Sequence, residues 1–188
     1  NLLSGYAEML KHGLISEEGH WAELMTFDMD HPDYGKLQQL VGESVQIKER
    51  IVAQDPFEQG IRKALNLGHT IGHAFESFAL EREAPVLHGY AVAWGMVCEL
   101  YLAHQKTGFP TDKMRQTVQF IKENYGKLAF NCRDYDRLYE FMKHDKKNAA
   151  AGMINFTLLG GIGDIRINQT ATKEEINEAL DFYCETMG

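Results

Sequence analysis

The segment Gly68-His69-Thr70-Ile71-Gly72-His73-Ala74-Phe75-Glu76 is the most informative stretch of the sequence. If it is helical, His69 and His73 lie at positions i and i+4 on one face, where their ring nitrogens can meet a common metal ion or substrate. The alternative is two histidines packed between helices and satisfied by backbone carbonyls. Gly68 and Gly72 favour the first interpretation, because glycine is costly in a helix unless another group approaches the backbone closely.

A zinc-type site needs a third protein ligand, and the sequence offers two. His88 opens the next predicted helix, and Glu8 lies beside the apolar face of the first. An ionised carboxylate there would be costly without a partner. The alternative for Glu8 is a solvated carboxylate paired with Lys11 or His12. Two histidines and one carboxylate that leave a position open are typical of catalytic zinc, which acts as a Lewis acid on a substrate oxygen.

Although the chain is acidic overall, basic side chains near these motifs could form a binding site for a small anion. The formal net charge of −8 argues against nucleic acid or an anionic membrane as the main partner. Each basic residue taken alone is more simply a surface charge, but a cluster of them binds carboxylate and phosphate groups. The residues in question are Lys11, Lys48, Arg62, Lys146 and Lys147, and Asn66 lies one predicted helical turn from both Arg62 and His69.

Apolar periodicity predicts mostly helix around these motifs. The predicted helices cover 2–14, a segment opening at the N-cap Ser16, 34–53, 62–80, 90–104, 111–125, 135–144 and a last segment ending at Met187. Strands are predicted over 153–159 and 163–167, and Thr172-x-x-Glu175 is a capping box before the last helix. The expected fold is mainly α, a single helical metal- and substrate-binding domain over 1–188 with a short β element near 153–167. Small residues in the 90–104 helix, including Gly95, would let another backbone come close.

Composition excludes several classes of protein. The 188 residues are 44% hydrophobic and 24% charged, and the mean hydropathy is −0.35, which suits neither a disordered chain nor a membrane-spanning one. Three widely spaced cysteines without a C-x-x-C pattern indicate neither a disulfide framework nor a cysteine zinc site, so we expect a reducing cytoplasm. No signal peptide is recognisable. Because the chain enters a helical pattern directly at Asn1, we expect it to be part of a longer protein.

Four segments occur in a fixed order along nearly the whole chain. They are Gly5-Tyr6-Ala7-Glu8-x-x-Lys11-x-Gly13; Lys48-x-x-Ile51-Val52-x-x-Asp55 with Gly60-x-Arg62; Leu65-Asn66-x-Gly68-His69-Thr70-x-Gly72-His73-Ala74-x-Glu76 with Leu87-His88-Gly89; and Asp145-Lys146-Lys147. Each is weak alone, but in this order they resemble the C-terminal domain of the 3-dehydroquinate synthase family. The resemblance implies the helical half of a two-domain shikimate-pathway enzyme, whose N-terminal α/β domain binds NAD and is absent from this sequence.

The resemblance also implies roles for individual residues. It makes Glu8, His69 and His88 the ligands of Zn²⁺ or Co²⁺ and His73 a substrate contact, although spacing alone would let both His69 and His73 coordinate. The other implied catalytic contacts are Lys11, Lys48 and Asn66, and the implied substrate-binding residues are Arg62 and one of Lys146 and Lys147, of which we favour Lys146.

The reaction implied by the resemblance converts 3-deoxy-D-arabino-heptulosonate 7-phosphate to 3-dehydroquinate. It proceeds by transient oxidation with NAD, loss of phosphate, re-reduction, ring opening and aldol closure. A homodimer is implied as well. Because the nicotinamide is bound by the other domain, we expect this chain alone to be inactive.

Three rival interpretations stay open. A related sugar-phosphate cyclase that forms an inositol-like or valiolone-like ring would lack the substrate carboxylate, so Lys48, Arg62 and the Asp145-Lys146-Lys147 segment together argue against it. A metal-dependent polyol dehydrogenase such as glycerol dehydrogenase would transfer hydride only, and Asn66 and the paired lysines make it less favoured. A helical interaction module with packed histidines belongs to a different class, and metal affinity separates it from the others.

Overall fold

The structure is a computed structural model and describes residues 1–145 and 152–188. The helices are α1 (Leu2–Ser16), α2 (Glu18–Thr26), α3 (Tyr34–Gln54), α4 (His69–Glu81), α5 (His88–Thr107), α6 (Thr111–Tyr125), α7 (Tyr135–Asp145) and α8 (Lys173–Met187), with short 3₁₀ helices at Ile61–Asn66 and Cys132–Asp134. The strands β1 (Met153–Gly161) and β2 (Asp164–Thr172) pair as an antiparallel hairpin. The predicted mainly α fold with a short β element is confirmed. The predicted substrate contacts Lys146 and Lys147 lie outside the described residues.

Helix α5 is the centre of the core. It packs against α1, α4, α6, α8 and β1, and residues 91–100 are all buried, as expected of a helix that is apolar on every face. Gly95 lets α4 approach, because a Cβ there would lie 2.2 Å from the carbonyl oxygen of Gly68 and 2.6 Å from the amide nitrogen of Gly72. The predicted close approach of another backbone is confirmed, and it places the helix that carries His69 and His73.

The single helix predicted over 62–80 is wrong, because the backbone changes handedness at Gly68. The 3₁₀ helix ends at Asn66, Gly68 adopts a φ of +81°, and α4 begins at His69. Such a φ favours glycine, and a Cβ at this position would also lie 2.6 Å from Cγ of Met96. As a result, Asn66 and His69 belong to different helices, and His69 occupies the first position of α4.

Other boundaries differ from the sequence prediction, two of them for a clear reason. Ser16, the predicted N-cap of the second helix, is the last residue of α1, and Glu17 takes the N-cap position. The second strand continues beyond residue 167 to Thr172, where Thr172 pairs with Met153. Its polar second half shows no apolar alternation, so it is the ladder to β1 that keeps this part extended.

The β-hairpin is fastened to the end of α1. Gly163, in the turn with a φ of +79°, donates its amide hydrogen to the carbonyl oxygen of Leu14 at 2.9 Å. The last carbonyls of a helix have no partner within the helix, so the turn satisfies one of them. The hairpin therefore helps to fix α1, the helix that carries Glu8.

Side-chain caps account for several helix ends. Asp33 accepts a hydrogen bond from the amide of Lys36 at the start of α3. Thr172 and Glu175 form both reciprocal bonds of the predicted capping box before α8, which is confirmed. None of the helices in the described part of the chain is long and apolar enough to cross a membrane.

Candidate metal and substrate site

Three helices bring the predicted metal ligands together. Glu8 lies in the middle of α1, and His69 and His88 are the first residues of α4 and α5. The Oε1 atom of Glu8 is 3.5 Å from Nε2 of His69 and 3.6 Å from Nε2 of His88. Residues far apart in the sequence thus meet at one point, as the resemblance implied.

Backbone and side-chain acceptors orient both imidazoles. Nδ1 of His69 lies 3.1 Å from the carbonyl oxygen of Leu67, and Nδ1 of His88 lies 3.0 Å from Oε1 of Glu76. Because a carbonyl and a carboxylate only accept hydrogen bonds, each Nδ1 carries the proton in the neutral ring, and each Nε2 presents its lone pair towards Glu8. Metal-binding histidines are held in the same way.

One oxygen of Glu8 lacks a hydrogen-bond donor among the residues that the structure describes. This oxygen, Oε1, is buried, and it faces the Nε2 atoms of His69 and His88 described above. Three electron-pair donors that face one another without a hydrogen between them repel, whereas a cation placed among them would be bound by all three. The donor set therefore fits a divalent metal ion such as zinc.

The other oxygen of Glu8 pairs with Lys11. Lys11 is only 4% exposed, and its Nζ donates to Oε2 at 2.6 Å. Burial alone would raise the pKa of the Glu8 carboxyl, but the charge of Lys11 and its hydrogen bond lower it overall. Burial also lowers the pKa of Lys11, against the pull of Glu8. The salt bridge predicted as the alternative for Glu8 therefore exists alongside its contact with the histidines.

Burial keeps His69 in the form that binds metals. Desolvation, reinforced by the charge of Lys11, lowers its pKa to about 4. The ring is therefore neutral at pH 7, and no proton has to leave Nε2 before a metal binds.

His73 joins the same cluster one turn further along α4. Its ring centroid lies 5.2 Å from that of His69 and 5.7 Å from that of His88, and the three histidines offer ligand atoms that lie within 4.8 Å of one another. The prediction from spacing, that His69 and His73 can meet a common ion, is geometrically satisfied. The position equally suits the substrate contact that the resemblance implies.

A cavity of about 410 Å³ opens beside the cluster. It is lined by Glu8, Lys11, His12, Lys48, Glu58, Arg62, Leu65, His69 and His88. Six of these residues were predicted from the sequence as metal ligands or substrate contacts, and among them are three cations. A pocket of this size and charge suits a small anionic ligand.

Asp55 organises the loop that brings Arg62 to the cavity. Its carboxylate accepts backbone hydrogen bonds from Gln59 at 3.0 Å, Gly60 at 2.6 Å and Arg62 at 3.1 Å. These three bonds lower the pKa of Asp55. The guanidinium of Arg62 also donates to the carbonyl oxygen of Pro56 at 2.8 Å, so the loop presents this cation in a defined position.

Three cavity residues, His12, Glu58 and Leu65, were missed as site residues by the sequence analysis. His12 follows Glu8 by one helical turn, which was a usable signal, and its Nδ1 lies 2.5 Å from Oγ of Ser44 on α3. Glu58 lies in the loop with a φ of +54°, where no periodicity indicates which way a side chain points. Asn66, predicted as a substrate contact, does not line the cavity, and its amide instead donates to Oε1 of Glu58 at 3.3 Å.

Comparison with known sequences identifies one family. A family model described as 3-dehydroquinate synthase C-terminal matches residues 5–148. The chain is 61% identical over 188 residues to the 3-dehydroquinate synthase of Parabacteroides distasonis. The aligned region covers 100% of this chain and 53% of that protein. It is 35% identical over 184 residues to the enzyme of the same name from Bacillus pumilus, covering 95% of this chain and 48% of that protein. The chain thus spans about half the length of these curated relatives.

Solved structures of two cyclases share the fold. A 2-deoxy-scyllo-inosose synthase complexed with carbaglucose-6-phosphate, NAD⁺ and Co²⁺ matches with a TM-score of 0.78 and 21% identity, over 95% of this chain and 51% of its own. A 2-epi-5-epi-valiolone synthase from Streptomyces hygroscopicus with NAD⁺ and Zn²⁺ bound matches with a TM-score of 0.74 and 21% identity, over 98% of this chain and 51% of its own. At this identity the similarity concerns the fold.

Proposed function

This chain belongs to the 3-dehydroquinate synthase family, and we propose that it is the metal- and substrate-binding part of an enzyme that converts 3-deoxy-D-arabino-heptulosonate 7-phosphate to 3-dehydroquinate and phosphate. The observation that carries the proposal is the buried, unpartnered Oε1 of Glu8 facing Nε2 of His69 and His88. A purely structural cluster would be expected to pair that oxygen with a hydrogen-bond donor. The related sugar-phosphate cyclases remain the alternative.

We propose that Glu8, His69 and His88 hold Zn²⁺ or Co²⁺, and that NAD is bound mainly by an N-terminal domain. A bound metal ion supplies a Lewis acid for a substrate hydroxyl, and NAD supplies the hydride acceptor. Within this chain, Leu67 and Glu76 keep the ligand nitrogens directed at Glu8, and Lys11 holds the second carboxylate oxygen in place.

The cavity cations would bind the two anionic ends of the substrate. Lys11, Lys48 and Arg62 line one cavity, and Arg62 offers a planar fork that matches a carboxylate or a phosphate. Holding both ends keeps the intermediate in one orientation through successive steps, which lowers the entropic part of each barrier. Lys146 and Lys147 are proposed to add to this set, with Lys146 favoured.

His73 is proposed to contact the substrate and to move a proton through a ring nitrogen. Its ring lies beside those of His69 and His88, which supports a role next to the proposed metal ligands. Asn66 is proposed as a further substrate contact, although it does not line the cavity itself; its amide donates to Oε1 of the cavity residue Glu58. Histidine suits proton transfer near neutral pH, because its ordinary pKa lies close to that pH.

Calorimetric titration of Zn²⁺ into the metal-stripped chain tests the metal centre. We expect one strong site, lost in Glu8→Ala, His69→Ala and His88→Ala. Glu43→Ala and His31→Ala are matched controls of the same residue types that lie outside the cluster, and both should bind as the wild type does. A site that is indifferent to all three ligand changes, or no site at all, would contradict the proposed centre.

The reaction itself needs the NAD-binding half. We expect the chain alone to release no phosphate from 3-deoxy-D-arabino-heptulosonate 7-phosphate, and release to appear when the N-terminal half of the Parabacteroides distasonis enzyme and NAD are added. Turnover by the chain alone would refute the first expectation. Phosphate release from a sugar phosphate without a carboxylate, but not from the proposed substrate, would favour the alternative cyclases. We also propose that the complete enzyme is a homodimer, as the resemblance implies, and sedimentation of the complex tests this.

A further inference from the structure

Glu99 is a fully buried carboxylate outside the cavity. It lies in the middle of α5 with no exposed surface, and it does not line the cavity. Its Oε1 accepts the amide hydrogen of Gly68 at 2.9 Å, and its Oε2 accepts that of Ile71 at 3.0 Å. Burying a carboxylate costs free energy unless the group is hydrogen-bonded or paired, and these two hydrogen bonds offset part of that cost.

The two amides lie on either side of His69. The N-cap residue of α4 is Gly68, which has no side chain to bond the first amides of the helix. Glu99 supplies that bond from the neighbouring helix, with the negative charge that a helix N-terminus favours. The carboxylate therefore fixes the first turn of α4, the turn that starts with His69.

A single peptide group links the hydrogen bond between Glu99 and Gly68 to the ring of His69. The amide nitrogen of Gly68 and the carbonyl of Leu67 belong to the same planar unit. Glu99 binds the hydrogen on one side of this unit, and Nδ1 of His69 donates to the oxygen on the other, at 3.1 Å. Fixing the peptide plane therefore fixes the acceptor that selects the Nδ1–H tautomer and directs Nε2 towards Glu8.

We propose that Glu99 is a positioning residue for the metal centre, acting on His69 through the Leu67–Gly68 peptide. This inference rests on the proposed function for the identity of the metal ligands. Glu99 binds the backbone amides of Gly68 and Ile71, and it does not line the cavity. It acts by holding the peptide to which the His69 ring is bonded, and a carboxylate bound to the N–H also strengthens the carbonyl as an acceptor.

The test compares Glu99→Gln and Glu99→Ala with Leu180→Ala. Leu180 is fully buried on α8, which packs against the same α5, so its truncation lowers stability without touching the peptide. Zn²⁺ affinity is measured by competition with a chelator. We expect Glu99→Ala to weaken binding by about 10–100-fold, Glu99→Gln to weaken it less, and Leu180→Ala to leave it unchanged. If Glu99→Ala does not fold, the zinc affinity of Glu99→Gln is compared with that of Leu180→Ala, and equal affinities would contradict the proposal.

A second readout does not depend on metal. In the metal-free chain at pH 7, ¹⁵N spectra of the histidine rings, with His69→Gln used for assignment, should show His69 as the Nδ1–H tautomer. We expect both Glu99 variants to lose that preference and Leu180→Ala to keep it. The inference is overturned if His69 stays in the Nδ1–H form and zinc affinity matches that of Leu180→Ala. If the wild type takes up no zinc, the proposed centre fails, while the tautomer still decides the role of Glu99.

Discussion

Glu8 uses its two oxygens for different purposes. Oε2 takes a hydrogen bond from Lys11, and Oε1 faces the two imidazole nitrogens. Sequence reasoning treated a pairing with Lys11 and a role as ligand as alternatives, but a carboxylate has enough lone pairs for both. The ammonium compensates the charge while one oxygen stays available, so the salt bridge supports the site rather than competing with it.

His12 makes stability depend on pH. Burial lowers its pKa from 6.5 to about 4, so below pH 6.5 the unfolded chain binds a proton that the folded chain does not. Stability therefore falls with falling pH, and from pH 7 to pH 5 this group should remove about 2 kcal/mol from the free energy of unfolding. In His12→Gln we expect the loss over that interval to be smaller by this amount, measured by urea unfolding at both pH values.

A control for His12 comes from an exposed histidine. His31 lies between α2 and α3 and is largely exposed, so His31→Gln should keep the pH dependence of the wild type. An identical loss of stability between pH 7 and pH 5 in His12→Gln and in the wild type would contradict the assignment.

Residue types and their order were enough to predict most of the site. The three predicted metal ligands Glu8, His69 and His88 lie together as expected. This prediction came from the sequence motifs, so it did not depend on the helix boundaries, one of which was wrong. His12 and Glu58 were missed as site residues since their directions depend on how α3 and the 55–62 loop pack, which local periodicity does not determine. Asn66 was expected on a shared helical face that the left-handed Gly68 removes.

At the scale of secondary-structure elements, the crossing of α4 and α5 determines how close His69 and His88 lie. Each helix begins with a candidate ligand, and the two backbones touch at Gly95. The small residues predicted this contact, but a sequence does not show which helix will occupy the space. The fold class was predictable from periodicity, whereas the pairing of these helices required the three-dimensional structure.

Gly95→Ala should separate the two helices. Its Cβ would lie 2.2 to 2.8 Å from backbone atoms of Gly68 and Gly72, which cannot move independently of α4. We expect a loss of stability of about 3 kcal/mol, the upper end of the usual cost of overpacking, and weaker Zn²⁺ binding, measured by chemical unfolding and titration. The control is Gly42→Ala on α3, where a Cβ meets nothing within 4 Å. That change should stabilise the chain by roughly 0.5–1 kcal/mol, and equal effects of the two substitutions would contradict the packing argument.

The loop from Asp55 to Arg62 gives a prediction on anion binding. Asp55→Ala removes the acceptor for three backbone amides, so the amides of residues 59, 60 and 62 should exchange with solvent several-fold faster. Because Arg62 then loses its fixed position, affinity for inorganic phosphate should fall as well. Asp28→Ala breaks the same kind of turn at Asp30 and His31 and should leave phosphate binding unaltered. Unchanged exchange and unchanged phosphate affinity in Asp55→Ala would show that the loop does not depend on this carboxylate.

For the whole molecule, the proposed metal centre would link three helices. Glu8, His69 and His88 come from α1, α4 and α5, which the unfolded chain does not hold together. A ligand that binds only the folded state stabilises it by mass action. The centre should therefore contribute to folding as well as to chemistry.

Zinc should raise the unfolding temperature. At a free Zn²⁺ concentration one hundred times the Kd, the gain is about 2.7 kcal/mol, or roughly 5–10 °C for a chain of this size. Differential scanning calorimetry with and without a chelator measures it. Glu8→Gln keeps the size of the side chain but loses the charge, and should respond to zinc much less. A gain of equal size in Glu8→Gln would place the zinc elsewhere.

During translation, α1 leaves the ribosome long before the hairpin that completes it. The carbonyl of Leu14 has no hydrogen bond from Gly163 until that residue has been synthesised. At typical rates of synthesis, the interval between the two residues lasts roughly ten seconds or more. The side chain of Tyr6, which the finished protein buries completely, stacks on Phe27 and on Phe120, so its second aromatic partner is also synthesised late in that interval. The helix that carries the carboxylate synthesised first in the site thus gains this hydrogen bond only after Gly163 has been made, so a chain released before that point would present an incompletely covered helix to chaperones and proteases.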